Sequence, residues 1–262
     1  MKRNAIARII IYSVLALVLS GILFTALAVD GYMYLFDNED EGTVVTGEEA
    51  SIEAAQVRSL AIDWAAGTVE IRTADTNYIT FSEQASENCK YKMAFELDDG
   101  TLSIRYRKGN IAIGFNHSID KKDLIITVPE DWVCKELDFD GAGLQVSIQG
   151  LQVESIDLDG AGLEFSLIGG FQYFSCDGAG CELELTSTYC PTEINIDGAG
   201  CALELNLPAD AGFAVETDGL GCSFSSHLPY SGAVGNYYFG DRKCKVDVDG
   251  LGCEITIEAI AN

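Results

Sequence analysis

The stretch that decides the fold is IDLDGAGLEFSL, residues Ile156 to Leu167. Apolar and polar residues alternate on both sides of its central Asp-Gly-Ala-Gly. Alternation with a period of two predicts half-buried β-strands. Glycine supplies the positive φ of a sharp bend, and an aspartate at the head of a turn commonly accepts a hydrogen bond from its own downstream backbone. The stretch therefore predicts a strand, a corner and a second strand.

The same pattern occurs six times in the chain, at steps of 19, 18, 20, 21 and 31 residues. A near-constant step of about 20 residues indicates one coil of a solenoid rather than one domain. We therefore predict an all-β protein, a parallel β-solenoid (β-helix-like, with about 20 residues per coil). Its corners should stack in one row in the order of the sequence. The motif aspartates are Asp140, Asp159, Asp177, Asp197, Asp218 and Asp249.

The N-terminus carries a membrane signal. Three basic residues precede the uncharged run Ile9 to Val29, which is long enough to cross a bilayer as one transmembrane helix. No Lys or Arg lies between Arg8 and Arg58, so the positive-inside rule places the N-terminus in the cytoplasm and the rest of the chain outside. The alternative is a cleaved signal peptide, because Ala26-Leu27-Ala28 resembles a cleavage site. Either interpretation exports residues 30–262.

The domain prediction has three parts. Residues 1–29 form the membrane anchor or signal peptide, residues 30–52 a polar stalk, and residues 53–262 the β-solenoid domain. Residues 53–135 are its irregular part and 136–262 the regular repeats. In the irregular part, Leu60 to Ile71 resembles a degenerate repeat with Trp64-Ala65-Ala66-Gly67 at the corner. Asp98-Asp99-Gly100 predicts a hairpin turn, and a strand should end at Pro129.

The charge of the chain limits the classes of partner that it can bind. It has 41 acidic and 16 basic residues, and its net charge is −25. No Lys or Arg occurs from Glu136 to Asp241, where 17 Asp and Glu lie. Nucleic acid is excluded because it requires a basic footprint, and anionic lipid is disfavoured for the same reason. Cations and cationic peptides are the natural partners, unless the acidic residues only keep a β-rich protein soluble.

A calcium site is one use of these acidic residues. Strand alternation points the residue two places before each corner aspartate outward, so carboxylates should stack in rows where like charges repel. A divalent cation would relieve the repulsion, since Ca²⁺ accepts several carboxylates. The alternative is that each corner aspartate is engaged by its own backbone. No other cofactor is predicted. The candidate calcium ligands are Asp138, Asp140, Asp157, Asp159 and Asp249.

The insertion Ser226 to Lys243 explains the long step of 31 residues. A loop inserted into a repeat array often carries binding, and aromatic side chains could bind a sugar or a peptide. The alternative is that they fold back over the last coil. The candidate ligand-binding residues are Tyr230, Tyr237, Tyr238 and Phe239.

Four of the nine cysteines share one repeat position, directly after the second glycine, where Leu144 and Leu163 stand in earlier copies. Cysteine in this position behaves as a small buried hydrophobe, so we predict a ladder of free thiols inside the solenoid. Disulfides between coils and a zinc site are the alternatives; their geometry and ligand spacing fit less well. The ladder cysteines are Cys181, Cys201, Cys222 and Cys253.

No catalytic motif is present. The two histidines, His117 and His227, lie outside any nucleophile or metal pattern. Some β-helix proteins cleave polysaccharides, but those that act on anionic sugars usually need basic residues, which residues 136–241 lack. We therefore predict no catalytic residues and no enzyme, with a polysaccharide-acting β-helix enzyme as the least favoured alternative.

Three stretches together resemble the bacterial putative-adhesin family of membrane-anchored β-strand-repeat proteins. They are LAIDWAAGTVEI (residues 60–71), DLIITVPED (123–131) and YYFGDRKCKVDVDGLGCEITI (237–257), and the resemblance covers about residues 50 to 262. It implies a fold of strand repeats outside the cell membrane and supplies no catalytic residue. It also implies a role as an adhesin or, as in some similar proteins, in sensing envelope stress.

The functional expectation is a cell-surface, membrane-anchored β-repeat protein that acts as an adhesin or envelope binding module. Its localisation should be the cell membrane, with a single span and an extracellular C-terminal domain. The alternative is a sensor that captures cationic antimicrobial peptides and signals through a membrane protein partner. A cationic peptide, a cell-surface glycan or that partner is the expected ligand.

Overall fold

The computed structural model describes residues 45–85, 89, 92–107, 121–233 and 235–260. These residues belong to one compact unit and form a single sheet of 18 strands with one short 3-10 turn, Ala54–Gln56. The all-β prediction is confirmed. The strands are β1 (Val45–Gly47), β2 (Glu49–Glu53), β3 (Ser59–Ala74), β4 (Tyr78–Ala85), β5 (Met93–Asp98), β6 (Thr101–Arg105), β7 (Lys122–Pro129), β8 (Val133–Ala161), β9 (Glu164–Ala179), β10 (Glu182–Ser187), β11 (Glu193–Ala199), β12 (Ala202–Leu207), β13 (Phe213–Leu220), β14 (Ser223–Ser226), β15 (Ser231–Ala233), β16 (Asn236–Phe239), β17 (Cys244–Leu251) and β18 (Glu254–Ala259).

The predicted anchor, Ile9 to Val29, lies outside the described residues. Among the residues that the structure describes, no helix is long and apolar enough to cross a membrane. The range predicted as a polar stalk, residues 30–52, contains β1 and most of β2 at its end. These strands pair antiparallel with β5 and β4, so the sheet begins before residue 53.

The repeats pair in parallel and in register. In the strands before the corner, Asp197 lies opposite Asp177; in the strands after it, Leu183 lies opposite Phe165. Equivalent residues of successive repeats are therefore direct neighbours, as expected of stacked coils. The degenerate copy joins the same stack, because Asp63 pairs with Asp140.

The order of the coils differs from the predicted order at one end. Asp249 pairs with Asp197 on one side and with Asp218 on the other, so the last coil in sequence lies between its two predecessors. The link from Pro208 to Gly212 carries the chain past one coil position. Strand β16 then covers the outer edge of β13 as an antiparallel partner, and β17 fills the place left between β13 and β11.

The two glycines of a corner are needed for different physical reasons. A Cβ added at Gly198, the first glycine of its corner, would lie 2.0 Å from the carbonyl oxygen of Gly178 in the next coil. A Cβ at Gly200, the second glycine, would meet nothing within 4 Å, but its φ is +68°. The first glycine therefore permits close stacking, and the second permits the left-handed bend. In the degenerate first coil Ala66 takes the second position at φ 55°, so alanine is tolerated there.

The predicted thiol ladder faces the core. Each ladder thiol donates a hydrogen bond to the carbonyl oxygen of the first corner glycine in the neighbouring coil, at 3.5 to 3.8 Å. This weak donation distinguishes the cysteines from the leucines of the earlier coils. All nine cysteines are described and none forms a disulfide. In spatial order the ladder is Cys181, Cys201, Cys253 and Cys222.

One buried ion pair lies in the irregular part. Lys122 Nζ is 3.0 Å from Glu83 Oε2, and the two side chains are 1% and 0% exposed. Lys122 also donates to the Arg107 carbonyl oxygen at 2.9 Å and lies 4.5 Å from the centre of the Tyr106 ring. Several favourable contacts therefore offset the loss of hydration of the ammonium group.

The different roles of the two corner glycines predict unequal effects of two alanine substitutions in one corner. Gly198→Ala should destabilise strongly, because the coils must separate to admit the methyl group. Gly200→Ala should cost only about 1–2 kcal/mol, the cost of a left-handed alanine. Urea unfolding of both variants measures the difference. Equal free energies of unfolding would show that close stacking does not require the first glycine.

The ion pair predicts strong coupling between two substitutions. Lys122→Met alone should cost about 3–5 kcal/mol, because it leaves a buried carboxylate without its cation. The double variant Glu83→Met/Lys122→Met should be more stable than the sum of the single losses predicts. A double-mutant cycle of urea unfolding free energies measures this coupling, and additive losses would contradict it.

Candidate cation-binding faces

Carboxylates form an unbroken row along the corner of the stack. Backbone pairing and glycine contacts place one aspartate per coil at this edge, and neighbouring strands are about 4.8 Å apart. We call this the aspartate row. The degenerate first coil contributes a member that the sequence analysis did not include, although its alignment with the repeat could have revealed it. In spatial order the row is Asp63, Asp140, Asp159, Asp177, Asp197, Asp249 and Asp218.

The first two aspartates of the row have raised pKa values. Burial, together with the charge of Asp140, raises the pKa of Asp63 to about 7. Burial and the charges of Asp138 and Asp159 raise the pKa of Asp140 to about 6. Both causes disfavour the ionised form, so stacking the carboxylates carries a free-energy cost near neutral pH.

The hydrogen bond expected between each corner aspartate and its own backbone is absent from the described residues. Within the part of the chain that the structure describes, cysteine thiols rather than aspartates make the side-chain hydrogen bonds of the corners. The bend therefore forms without a hydrogen bond to the corner aspartate, and the exposed carboxylates of the row, from Asp159 onward, remain available to solvent or a ligand.

The structure divides the predicted calcium ligands into two groups. Asp140 and Asp159 are neighbours in the aspartate row, and Asp138 and Asp157 are near enough for their charges to interact. Asp249 lies three coils beyond Asp159, about 14 Å away at the spacing of paired strands. It cannot share an ion with the other four. Within the described part of the chain, no three His, Cys, Asp or Glu side chains converge as metal ligands, and calcium binding stays a prediction.

A second acidic surface lies on the outer side of the strands that follow the corner. Glu164 pairs with Glu182, and Glu184 pairs with Glu204, so exposed carboxylates stand beside one another on neighbouring coils. They line a shallow groove of about 550 Å³. We call this surface the glutamate face. This face was not among the predicted sites, although the alternation after each corner was the available signal. Its acidic residues are Glu164, Glu182, Glu184, Glu204 and Glu254.

Three of the four predicted aromatic residues of the insertion pack on the end of the stack, and the fourth faces the surface. Tyr237 stacks on Phe224 with ring centres 4.6 Å apart, and Tyr230 meets the same ring edge-on at 5.0 Å. Phe239 lies 5.8 Å from Phe213. These three cover the spatially last coil, which supports the alternative that the insertion folds back.

Tyr238 faces outward instead. Arg242 lies 3.9 Å from the centre of its ring, and both line a pocket of about 240 Å³ with Lys245 and Asp247. Tyr237 also borders this pocket, but of the predicted ligand-binding aromatics Tyr238 is the one whose exposed ring lies against a basic side chain. Ligand binding at these residues stays a prediction.

Part of the β domain matches a known protein family. Residues 57–166 match the Toastrack DUF4097 family. The resemblance drawn from the sequence is thereby confirmed. The chain has no match among curated proteins.

Solved structures that match the chain include three bacterial proteins. One is a putative cell adhesion protein from Clostridium sporogenes, 14% identical, with 80% of this chain and 98% of that chain covered and a TM-score of 0.40. A putative adhesin from Bacteroides fragilis is 12% identical, with 83% and 98% covered and a TM-score of 0.43. A putative lipid binding protein from Parabacteroides distasonis is 14% identical, with 83% and 97% covered and a TM-score of 0.30.

The raised pKa values predict a pH dependence of stability. A carboxyl group whose pKa is higher in the folded state stabilises that state below its unfolded pKa of about 4, and this contribution is lost as the pH rises through its folded pKa. The contribution of Asp63 is therefore lost by about pH 8, because its folded pKa is about 7. Asp63→Asn should reduce the stability difference between pH 5 and pH 8.

Urea unfolding at the two pH values measures this difference. The matched control is Asp98→Asn at the exposed end of β5, which should leave the difference unchanged. An equal difference in wild type and Asp63→Asn would show that the carboxyl group of Asp63 does not titrate with a raised pKa.

Proposed function

We propose that this chain, whose residues 57–166 match the Toastrack DUF4097 family, is a non-catalytic envelope binding module that captures polycationic ligands on its acidic coils. The observation that carries the proposal is the glutamate face. Its carboxylates are exposed, and no lysine or arginine occurs in the sequence from Glu136 to Asp241. The internal hydrogen-bond partners of these carboxylates among the described residues are neutral amides, Gln145 with Glu164 and Asn206 with Glu204, so a cationic segment could approach without displacing an internal cation.

The regular spacing supports an extended ligand rather than a small one. Paired strands repeat about every 4.8 Å, and extended peptide side chains on one face recur about every 6.6–7 Å. Several basic side chains of one segment can thus reach carboxylates on successive coils. The groove is shallow and its floor is the sheet itself, which favours charge over shape as the basis of recognition.

The cellular setting of the proposal is the outside of the cell membrane. We propose that Ile9 to Val29 anchors the chain by a single span, with the N-terminus in the cytoplasm and the coils outside. The absence of basic residues between Arg8 and Arg58 supports this orientation. An adhesin would engage cationic groups on another surface. A stress sensor would engage a cationic antimicrobial peptide and require a membrane protein partner.

Calcium is the second candidate ligand, and a separate observation favours it. The pKa of Asp140 is raised to about 6 by burial and by its neighbours Asp138 and Asp159. A divalent cation at this position would relieve the repulsion between them. Millimolar calcium should then raise the melting temperature of wild type, and it should not raise that of Asp138→Asn/Asp140→Asn/Asp159→Asn.

The proposed function predicts salt-sensitive binding that depends on position as well as charge. The full chain in detergent is titrated with a fluorescent oligolysine peptide. Glu182→Gln/Glu204→Gln/Glu254→Gln should weaken binding by about tenfold, or ~1.4 kcal/mol in total, because exposed ion pairs contribute roughly 0.5 kcal/mol each. Raising salt from 0.1 M to 1 M should weaken wild-type binding, since the screening length falls from about 10 Å to about 3 Å.

The matched control removes three charges elsewhere. Asp98→Asn/Glu130→Gln/Asp131→Asn changes exposed acidic residues at the end of β5 and in the turn after β7, outside the regular repeats. It should bind the peptide nearly as wild type does. Equal losses in both triple variants would show that net charge alone drives binding, and an absence of salt-sensitive binding would overturn the proposed function.

A further inference from the structure

At one end of the stack the order of the coils differs from their order in the sequence. The ladder cysteines there still lie on neighbouring coils and face inward. The Cys201 carbonyl oxygen accepts a hydrogen bond from the Glu254 amide, and the Cys253 carbonyl oxygen accepts one from the Ser223 amide, each at 2.9 Å. Cys253 therefore lies between Cys201 and Cys222. Sequence order alone would have made Cys201 and Cys222 the neighbours.

Cys222 and Cys253 are close partners. The pairing of Ser223 with Glu254 in parallel strands sets the two cysteines opposite each other. The Cys222 thiol points toward the coil of Cys253, because it donates to the Gly250 carbonyl oxygen at 3.5 Å. Burial raises the pKa of the Cys253 thiol, and a hydrogen bond with the Cys222 thiol adds to the rise. The spacing of paired strands, about 4.8 Å, falls within the Cα separation that a disulfide spans.

The two thiols differ in access. Cys253 is 2% exposed, and so is Cys201, whereas Cys222 is only partly buried. Cys222 is more exposed because it lies on the last coil of the stack. Among the described strands, β14 pairs only with β18, and no further coil lies beyond β14. An outside reagent should therefore reach Cys222 before it reaches the other ladder thiols.

We propose that Cys222 and Cys253 form a dithiol that reacts with external disulfides and closes a bridge between the last two coils of the stack. The Cys222 thiolate attacks one sulfur of a low-molecular-weight disulfide, and the other sulfur leaves as a thiol after taking a proton. The Cys253 thiolate then attacks Cys222 Sγ in the mixed disulfide and releases the second thiol. The two cysteines are oxidised, and the external disulfide is reduced to two thiols.

The bridge should be reversible rather than permanent. Cysteines paired in register on parallel strands project to the same side, so the preferred disulfide dihedral is hard to reach, and strained disulfides are more easily reduced. The terminal coil can best accommodate this strain, because the terminal coil has a neighbouring coil on one side only. The closed loop would hold the insertion of Ser226 to Lys243 against the end of the stack.

The test is a reaction of the native full chain in detergent with 4,4′-dithiodipyridine, a small aromatic disulfide. The background carries Cys190→Ser, because Cys190 is the other partly exposed cysteine. Two equivalents of thiopyridine should be released, and peptide mapping should find a Cys222–Cys253 disulfide. With Cys253→Ser added, one equivalent should be released and the mixed disulfide should remain on Cys222. With Cys201→Ser added instead, two equivalents should still appear.

Stability provides an independent readout. The bridged protein should melt at a higher temperature than the reduced protein, because the bridge closes a loop between residues 222 and 253 in the unfolded chain. Dithiothreitol should reverse both the bridge and the shift. A stable adduct on Cys222 in the Cys190→Ser background, a Cys201–Cys222 disulfide, or an unreactive native Cys222 would each overturn the proposal. These readouts require neither calcium nor peptide binding, so they are independent of the proposed function.

Discussion

The contact on which the structure depends is the approach of one corner glycine to the next. The Gly198 position admits no Cβ because the Gly178 carbonyl oxygen lies in the way, and Gly250 meets Gly198 in the same manner. This approach holds the coils in parallel register at the corner, so the side chains of the paired strands stand beside their counterparts in the next coil. Since the spacing is uniform, whatever chemistry one repeat carries is repeated along the stack.

Repetition turns single residues into rows with collective properties. One exposed aspartate costs little, but near the first coil burial, together with the repulsion of stacked aspartates, raises the pKa of Asp140 to about 6. The same register sets the glutamates of neighbouring coils side by side on the outer surface. A surface organised in this way is unfavourable when empty and favourable when it meets several positive charges. This is the physical basis of the proposed polycation binding.

Inside the stack the same register builds the thiol ladder. Cysteine fits where leucine stands in earlier coils, and it adds a weak hydrogen bond to a glycine carbonyl oxygen. Burial protects most of these thiols, and the end of the stack exposes Cys222. The aromatic residues of the insertion cover Phe213 and Phe224 of the same coil. The end of the array therefore combines a hydrophobic cap with an accessible thiol.

The sequence by itself determined the all-β class, the parallel register of the repeats and the inward position of the ladder cysteines. Alternation with a period of two and a constant step are local patterns, and in-register stacking follows from them. Only the tertiary structure decided that the Asp249 coil lies between the Asp197 and Asp218 coils, and that Cys253 is therefore the partner of Cys222. Equivalent repeats present nearly identical edges, so local pattern cannot say which edge a strand will pair with. That choice depends on how the link before β13 and the strand β16 occupy the neighbouring positions.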